Sequence, residues 1–355
     1  MATVDIQQLL EEKDLYINSP IVKKEDKQLL APSGVTLIDL VTYGIHFSST
    51  LTVTGDSSSG KTFFLMELGA AAKRMYGKDK VKVKYIDSEG RLSFDTEEMY
   101  GYKLNEGITK FPTKLEEVIA DLDYEVNSLE EDQKLIYIID SLDAMQTDDD
   151  IEDKEAKIKA YKKGESSDRG SYGDKAKKSK QIFRQAIPYI TNKPVLFVAV
   201  QQLSYNLNSP YNSKNYVSSG TTWLYNATVK IEFKRIGEDP SKLPVYFTTR
   251  AIAKKNTSPR PDRYANILVS YEYGFDDIGT NLCMLGNGMT DKGALSTRFK
   301  LKWGDKEFTD LNEAALYIQD NGLEEELRKA VIIKWEQDEE EARKSFVRRK
   351  RKLLE

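Results

Sequence analysis

The run Leu51-Thr52-Val53-Thr54-Gly55-Asp56-Ser57-Ser58-Ser59-Gly60-Lys61-Thr62 decides the reading of this chain. A β-branched stretch meets a turn of small residues, then a Lys-Thr pair leads into Phe63-Phe64-Leu65-Met66-Glu67-Leu68. That order predicts strand, loop and helix with G-x-x-x-x-G-K-T at the junction, the P-loop pattern in its proper context. Such a loop turns its backbone N–H groups on phosphate oxygens, and the positive end of the following helix adds to the attraction. Gly55, Asp56, Ser57, Ser58, Ser59, Gly60, Lys61, Thr62 and Phe63 are therefore the candidate nucleotide contacts. Lys61 is expected at the β- and γ-phosphates, and the Thr62 hydroxyl on Mg²⁺.

Composition narrows the chemistry. The 355 residues suffice for one large domain and a smaller one, with 39% hydrophobic and 31% charged residues. A single cysteine, Cys283, rules out a disulfide within the chain, and with one histidine, His46, it argues against Cys/His zinc sites and histidine triads. No apolar run approaches a membrane span, and the opening Met-Ala-Thr-Val-Asp-Ile carries no basic and apolar leader, so a cytoplasmic protein without membrane contact is expected. The net charge of −4 offers nucleic acid no global attraction, but its distribution is uneven. Asp148–Asp153 is densely acidic, whereas Lys154–Lys180 holds ten Lys/Arg against four Asp/Glu.

Strand-like runs recur outward from the loop. Lys80–Asp87 alternates and then turns apolar, Leu135–Asp140 is apolar to its last residue, and Val195–Val200 ends at Gln201-Gln202. Helical stretches separate them, including one opened by Thr113-x-x-Glu116 read as a capping box. Strands alternating with helices predict a doubly wound α/β sheet with ligands at the carboxyl ends of its strands. Asp140 then suits a carboxylate holding Mg²⁺ through water. Glu89 and Asp87 compete as the base acting on water, and Gln201 and Gln202 as sensors of the γ-phosphate.

Two long stretches, about 147–171 and 203–222, read as irregular loops, and long loops within a compact domain are usually functional. Tyr161, Lys162, Lys163, Arg169 and Tyr172 in or beside the first, and Tyr205, Tyr211, Lys214 and Tyr216 in the second, mix aromatic and cationic groups as a single-strand stacking platform requires. Trp223–Arg235 and Val245–Lys255 predict an antiparallel extension, and Ile267–Tyr271 a further strand. The expected organisation is an N-terminal arm over 1–30, a core over 31–281, and a small α/β appendage with a charged helical tail over 282–355.

The ordered motifs resemble the RecA-type recombinases, particularly their phage-encoded branch, over about residues 30–280. Ser33-Gly-Val-Thr-Leu-Ile-Asp-Leu is similar to the family's lead into the core, Tyr85-Ile-Asp-Ser-Glu89 to its catalytic-glutamate strand end, and Ile138-Ile-Asp-Ser141 to its Walker B strand. The resemblance implies a RecA-like P-loop ATPase core with a mainly parallel twisted sheet. It favours Glu89 as the base and Gln202 as the sensor, and it makes the two loop stretches the DNA-binding loops. Lys254 or Lys255 would reach the nucleotide of an adjacent subunit, although the second of the family's interface lysines is here Thr257. By the same resemblance, ATP and Mg²⁺ are the cofactors, and single- and double-stranded DNA the partners. The implied assembly is a helical filament or a ring, loaded with mediator and single-strand-binding proteins. The implied function is ATP-dependent strand exchange. A helicase-like motor and a recombination-mediator ATPase are the alternatives on the same core.

Overall fold

The computed structural model describes residues 3–22, 30–164, 174–205, 214–217, 226–238, 246–256 and 262–344. Among them, residues 29–275 and residues 1–28 with 276–355 form two compact units.

The larger unit is built on a nine-stranded sheet. Its strands are β1 (Ser49–Gly55), β2 (Val81–Asp87), β3 (Lys134–Asp140), β4 (Val195–Tyr205), β5 (Lys214–Val217), β6 (Val229–Glu238), β7 (Tyr246–Lys255), β8 (Arg263–Ser270) and β9 (Gly274–Phe275). The order across the sheet is β9-β8-β7-β6-β1-β4-β3-β2, with β5 hairpinned onto β4. Five neighbouring strands, β2, β3, β4, β1 and β6, are parallel. From β6 outward to β9 the pairing is antiparallel.

Burial explains this division. Every residue of β1 is buried, as are Leu135 to Ile139 of β3, so both sheet faces are covered there and parallel strands joined through helices are stable. On one face Leu115, Val118, Leu122 and Val126 pack with Ile182, Phe183, Ala186 and Ile190 against Tyr137, Ile139, Phe197 and Ala199. The helices concerned are α4 (Val118–Asn127) and α6 (Asp174–Thr191); α1 (Thr36–Thr42), α2 (Lys61–Tyr76) and α3 (Thr96–Tyr100) precede them, and α5 (Asp148–Lys163) lies between them in the chain. Helix α2 lies across β1, β2 and β3. At the outer strands one face is wetter: in β7 buried Ala251 and Ala253 alternate with partly exposed Arg250, Ile252 and Lys254.

Three expectations are corrected. The 147–171 stretch is not a loop through its described length. Thr147 and Asp150 form a reciprocal capping box, three aspartates occupy the first turn of α5, two lysines the last, and Gly164 closes it in the left-handed conformation. Caps and charges matched to the helix dipole stabilise a helix that has no buried residue. The 203–222 stretch likewise begins as strand, because β4 continues to Tyr205 and Leu203 pairs with Val217 of β5. The capping partner of Thr113 is Glu117, whose Oε2 accepts from Thr113 N at 2.8 Å, and a 3₁₀ turn over Leu115–Glu117 precedes α4. Glu116 instead accepts from Asp148 N and Lys178 Nζ.

In the smaller unit, Val4–Asp5 pairs in parallel with Leu301–Trp303, which forms a hairpin with Lys306–Phe308. Ile6 is wholly buried, and Ser19 Oγ donates to Glu336 Oε1 at 2.8 Å. The described part of the arm, residues 3–22, therefore packs on C-terminal residues of the same unit, with Ile6, Leu9 and Ile21 buried and Ile17 left exposed. No helix among the described residues is long and apolar enough to cross a membrane.

Candidate nucleotide site at the strand ends

Parallel register brings the chemical groups together. Gly55 pairs with Gln202 on one side and Phe233 on the other, and Asp87 pairs with Asp140. The last residues of β1, β2 and β3, and Gln202 of β4, thus share one edge.

Gly55 is required by crowding, since a Cβ there would lie 2.3 Å from the Phe233 carbonyl oxygen. Gly60, at φ 94°, takes the left-handed turn into α2. Between them Ser59 Oγ donates to Asp56 O at 2.8 Å, and Thr249 Oγ1 donates to Ser59 O at 2.9 Å, tying the loop to β7. Ser57 and Ser58 are exposed, while Asp56 and Phe63 are half-buried. Lys61 Nζ folds back over the loop, donating to Asp56 O at 2.6 Å and Gly55 O at 3.1 Å. Burial pushes its ammonium below the usual lysine range, and the Asp140, Glu89 and Asp56 carboxylates oppose that shift.

Thr62 Oγ1 donates to Asp140 Oδ2 at 3.3 Å, and the Tyr85 hydroxyl donates to the same oxygen at 2.7 Å. Burial raises the Asp140 carboxyl above the usual carboxylate range; the Tyr85 hydrogen bond and Lys61 act against it, and the charge of Glu89 adds to it. Adjacent hydroxyl and carboxylate oxygens are the hard donors that Mg²⁺ takes. No group of three or more His, Cys, Asp or Glu side chains able to hold a metal occurs among the described residues. A cation at Thr62 and Asp140 would therefore take further ligands from phosphate and water, as Mg²⁺ does at such loops.

The two carboxylates of the β2 end part company. Asp87 is consumed by its own turn, accepting from Gly90 N at 2.8 Å and Leu92 N at 3.0 Å. Glu89 faces the neighbouring strands: Ser141 Oγ and Gln202 Nε2 donate to its Oε1 at 2.7 and 2.5 Å, and Arg91 pairs with its Oε2 at 2.9 Å. The two glutamines part as well. Gln201 is wholly buried beside Thr54, whereas Gln202 reaches Glu89 with its amide and Asp143 Oδ2 with its backbone N–H at 2.8 Å.

Lys254 and Lys255 are not brought to this edge. Lys255 pairs with Lys230, which pairs with Thr52, three residues back from Gly55 toward the opposite end of the sheet. Lys254 Nζ donates to Asp262 Oδ1 at 3.1 Å. Among the expected DNA contacts, Tyr161 is 86% exposed in the last turn of α5, beside exposed Lys162 and Lys163. Tyr205 ends β4, and Lys214 and Tyr216 belong to β5. Arg169, Tyr172, Tyr211 and Thr257 lie outside the described residues.

One part of the site has almost no sequence signature. Beside Ser58–Phe63 a cavity of about 260 Å³ is walled by Phe94, Phe247 and Tyr271 as well as Phe63. Phe63 and Phe94 lie 5.6 Å apart between ring centroids, Phe247 and Tyr271 5.2 Å, and the Arg235 guanidinium sits 4.6 Å over Phe247. Such a cleft of π faces beside a phosphate loop suits a flat heteroaromatic base. The only signal for it was Phe63 itself, because the other walls come from segments far apart in the chain.

The chain is an α/β protein whose parallel strands bring the phosphate loop and the polar strand ends to one edge of the sheet. No protein-family model matches it. The chain resembles the RecA-type recombinases, the phage-encoded branch included. It is 23% identical over 298 residues to the Protein RecA of Gloeothece citriformis (strain PCC 7424), covering 82% of this chain and 76% of that protein. It is 27% identical over 282 residues to the Recombination and repair protein of Enterobacteria phage T4, covering 78% of this chain and 66%, just under two thirds, of the phage protein. The crystal structure of the RadB recombinase aligns with a TM-score of 0.45 and 14% identity, over 70% of this chain and 99% of that one.

Proposed function

We propose that this chain is a RecA-family DNA recombinase that binds and hydrolyses ATP with Mg²⁺ and assembles on single-stranded DNA as a filament. The observation carrying the proposal is the convergence of Lys61, Thr62, Asp140, Glu89 and Gln202 on one edge of the parallel strands. The names of its relatives, RecA and a recombination and repair protein, support the same reading.

In this reading the loop amides and Lys61 hold the phosphates, Thr62 and Asp140 hold Mg²⁺, and the aromatic cleft takes the base. Bound Mg²⁺ neutralises phosphate charge. Glu89 orients or deprotonates the attacking water, and Gln202 carries the state of the γ-phosphate into the β4–β5 hairpin. Lys254 and Lys255, at the far end of β7, serve the site of a neighbouring subunit. Single-stranded DNA is held by the exposed end of α5 and by the hairpin, with duplex DNA as the exchange partner. Mediator and single-strand-binding proteins would assist loading in the cytoplasm.

ATP hydrolysis with and without single-stranded DNA, together with electron microscopy of the complex with a non-hydrolysable analogue, tests the proposal. DNA-stimulated hydrolysis abolished by Lys61→Ala, together with filaments, is expected. Neither stimulation nor filaments would instead favour the mediator ATPase, and unwinding by closed rings the helicase-like motor.

A further inference from the structure

Tyr85 lies on β2, two residues before Asp87, and its side chain is almost wholly buried. Because β2 and β3 are in register with Asp87 opposite Asp140, Tyr85 projects on the face that Asp140 shares, one diagonal step away. Its backbone is pinned from outside the sheet: Tyr85 N donates to Asn105 Oδ1 at 2.7 Å, and Asn105 Nδ2 donates to Tyr85 O at 2.9 Å. The phenol therefore approaches Asp140 from a fixed origin.

An ionised carboxylate only accepts hydrogen bonds, so the Tyr85 and Thr62 hydroxyls both spend their single proton on Asp140 Oδ2. With its proton committed there, Thr62 must turn its oxygen lone pairs away from Asp140. Those lone pairs are what a hard cation needs. The orientation of Thr62 depends on where Oδ2 sits, and the shorter of the two bonds to Oδ2, the one from Tyr85, sets that position.

We infer that Tyr85 is a positioning residue that holds Asp140 Oδ2, and through it the Thr62 hydroxyl, in the orientation that receives Mg²⁺. This rests on the nucleotide-site reading above and extends it to a residue that touches neither nucleotide nor metal. Tyr85 acts as the outer support of the metal-binding pair, as hydrogen-bonded partners do for ligands elsewhere. A ring that merely filled the core would serve equally well without its hydroxyl.

Tyr85→Phe separates these roles, because it removes one oxygen and leaves the ring. The measurement is the Mg²⁺ dependence of binding a fluorescent non-hydrolysable ATP analogue, with Mn²⁺ followed by electron paramagnetic resonance as a direct count of bound metal. Half-saturating Mg²⁺ is expected to rise about tenfold in the variant. Analogue binding in excess EDTA should stay at the wild-type level. In an Asp140→Asn background, where no ionised Oδ2 remains to be held, Tyr85→Phe should add nothing, and that background removes the buried charge that the single variant leaves less supported. An unchanged Mg²⁺ requirement in Tyr85→Phe, or an equal loss in the Asp140→Asn background, overturns the inference alone. Analogue binding by the wild-type chain that ignores Mg²⁺ overturns the metal-site reading and the inference with it.

Discussion

Glu89 and Gln202 stand 113 positions apart in the chain, yet Gln202 Nε2 donates to Glu89 Oε1 at 2.5 Å. The bond joins the turn after β2 to β4 across the intervening β3, and Ser141, the residue that follows β3, donates to the same oxygen at 2.7 Å. A carboxylate held by two neutral donors and one arginine has a set direction but little freedom. A group that draws the Gln202 amide away removes one of these three holds on Glu89 and leaves Ser141 and Arg91.

Glu89→Gln should reduce ATP turnover by about a hundredfold or more, the scale of a lost general base. Because the glutamine keeps the side chain's size, analogue binding and DNA-bound assembly should survive. Single-turnover hydrolysis measured beside analogue affinity checks both; lost affinity would give Glu89 a structural role. Gln202→Ala should instead lower the stimulation of hydrolysis by single-stranded DNA about tenfold, the size of an ordinary coupling energy, measured as the ratio of rates with and without DNA.

Tyr271→Ala should weaken binding of an ATP analogue by roughly tenfold at most, the worth of one aromatic face. Tyr271 is 43% exposed, so its removal leaves the fold intact while opening the cleft opposite Phe63 and Phe94. Binding of inorganic triphosphate, which has no base, should not change. Calorimetric titration with both ligands makes the comparison; an equal loss for both would remove the base from this cleft.

Lys162→Ala with Lys163→Ala should weaken single-stranded DNA binding and flatten its salt dependence. Each lost phosphate contact lowers the slope of log affinity against log salt by about 0.7 on single strands. Tyr161→Ala should cut affinity without changing that slope, because stacking releases no counterions. Fluorescence anisotropy over a salt series measures both quantities. Unaltered affinity in both variants would make the tip of α5 a solvated helix end.

Glu67→Gln bears on stability and pH. Burial raises the Glu67 carboxyl above the usual glutamate range, and the exposed Arg74 offsets this only partly. Below the unfolded value the group is neutral in both states and neutral folding loses nothing. As pH rises through the raised folded value, the native state bears a buried charge that the unfolded chain carries more easily, so stability falls. Glu67→Gln should therefore melt higher than the wild type at neutral pH, with the gap closing as the solution is acidified through that window. Thermal melts across pH check the sign.

Much of the core was legible because its signals are local. The loop Gly55–Thr62 carries its own turn residues, and Leu135–Asp140 announces a doubly buried strand by having no polar residue before its end. The stretch 148–163 was misread because its charge density looks like loop composition. Its helix depends on a cap at Thr147, acids at one end and lysines at the other, with no apolar stripe to show a period. Glu117 was likewise passed over for Glu116, since a 3₁₀ turn shifts the usual spacing by one residue.

The sequence by itself determined the phosphate loop, the strand–helix alternation and a shortlist of polar strand ends, because each depends on residues within one or two turns of chain. Tertiary structure chose among that shortlist. It turned Glu89 toward Ser141 and Gln202, buried Gln201 beside Thr54 and left Lys255 level with Thr52, whereas Asp87 is taken up by its own local turn Gly90–Leu92. The reason is strand register, a pairing between segments roughly fifty to more than a hundred residues apart. It sets which of two adjacent side chains faces the site, and local composition does not contain it.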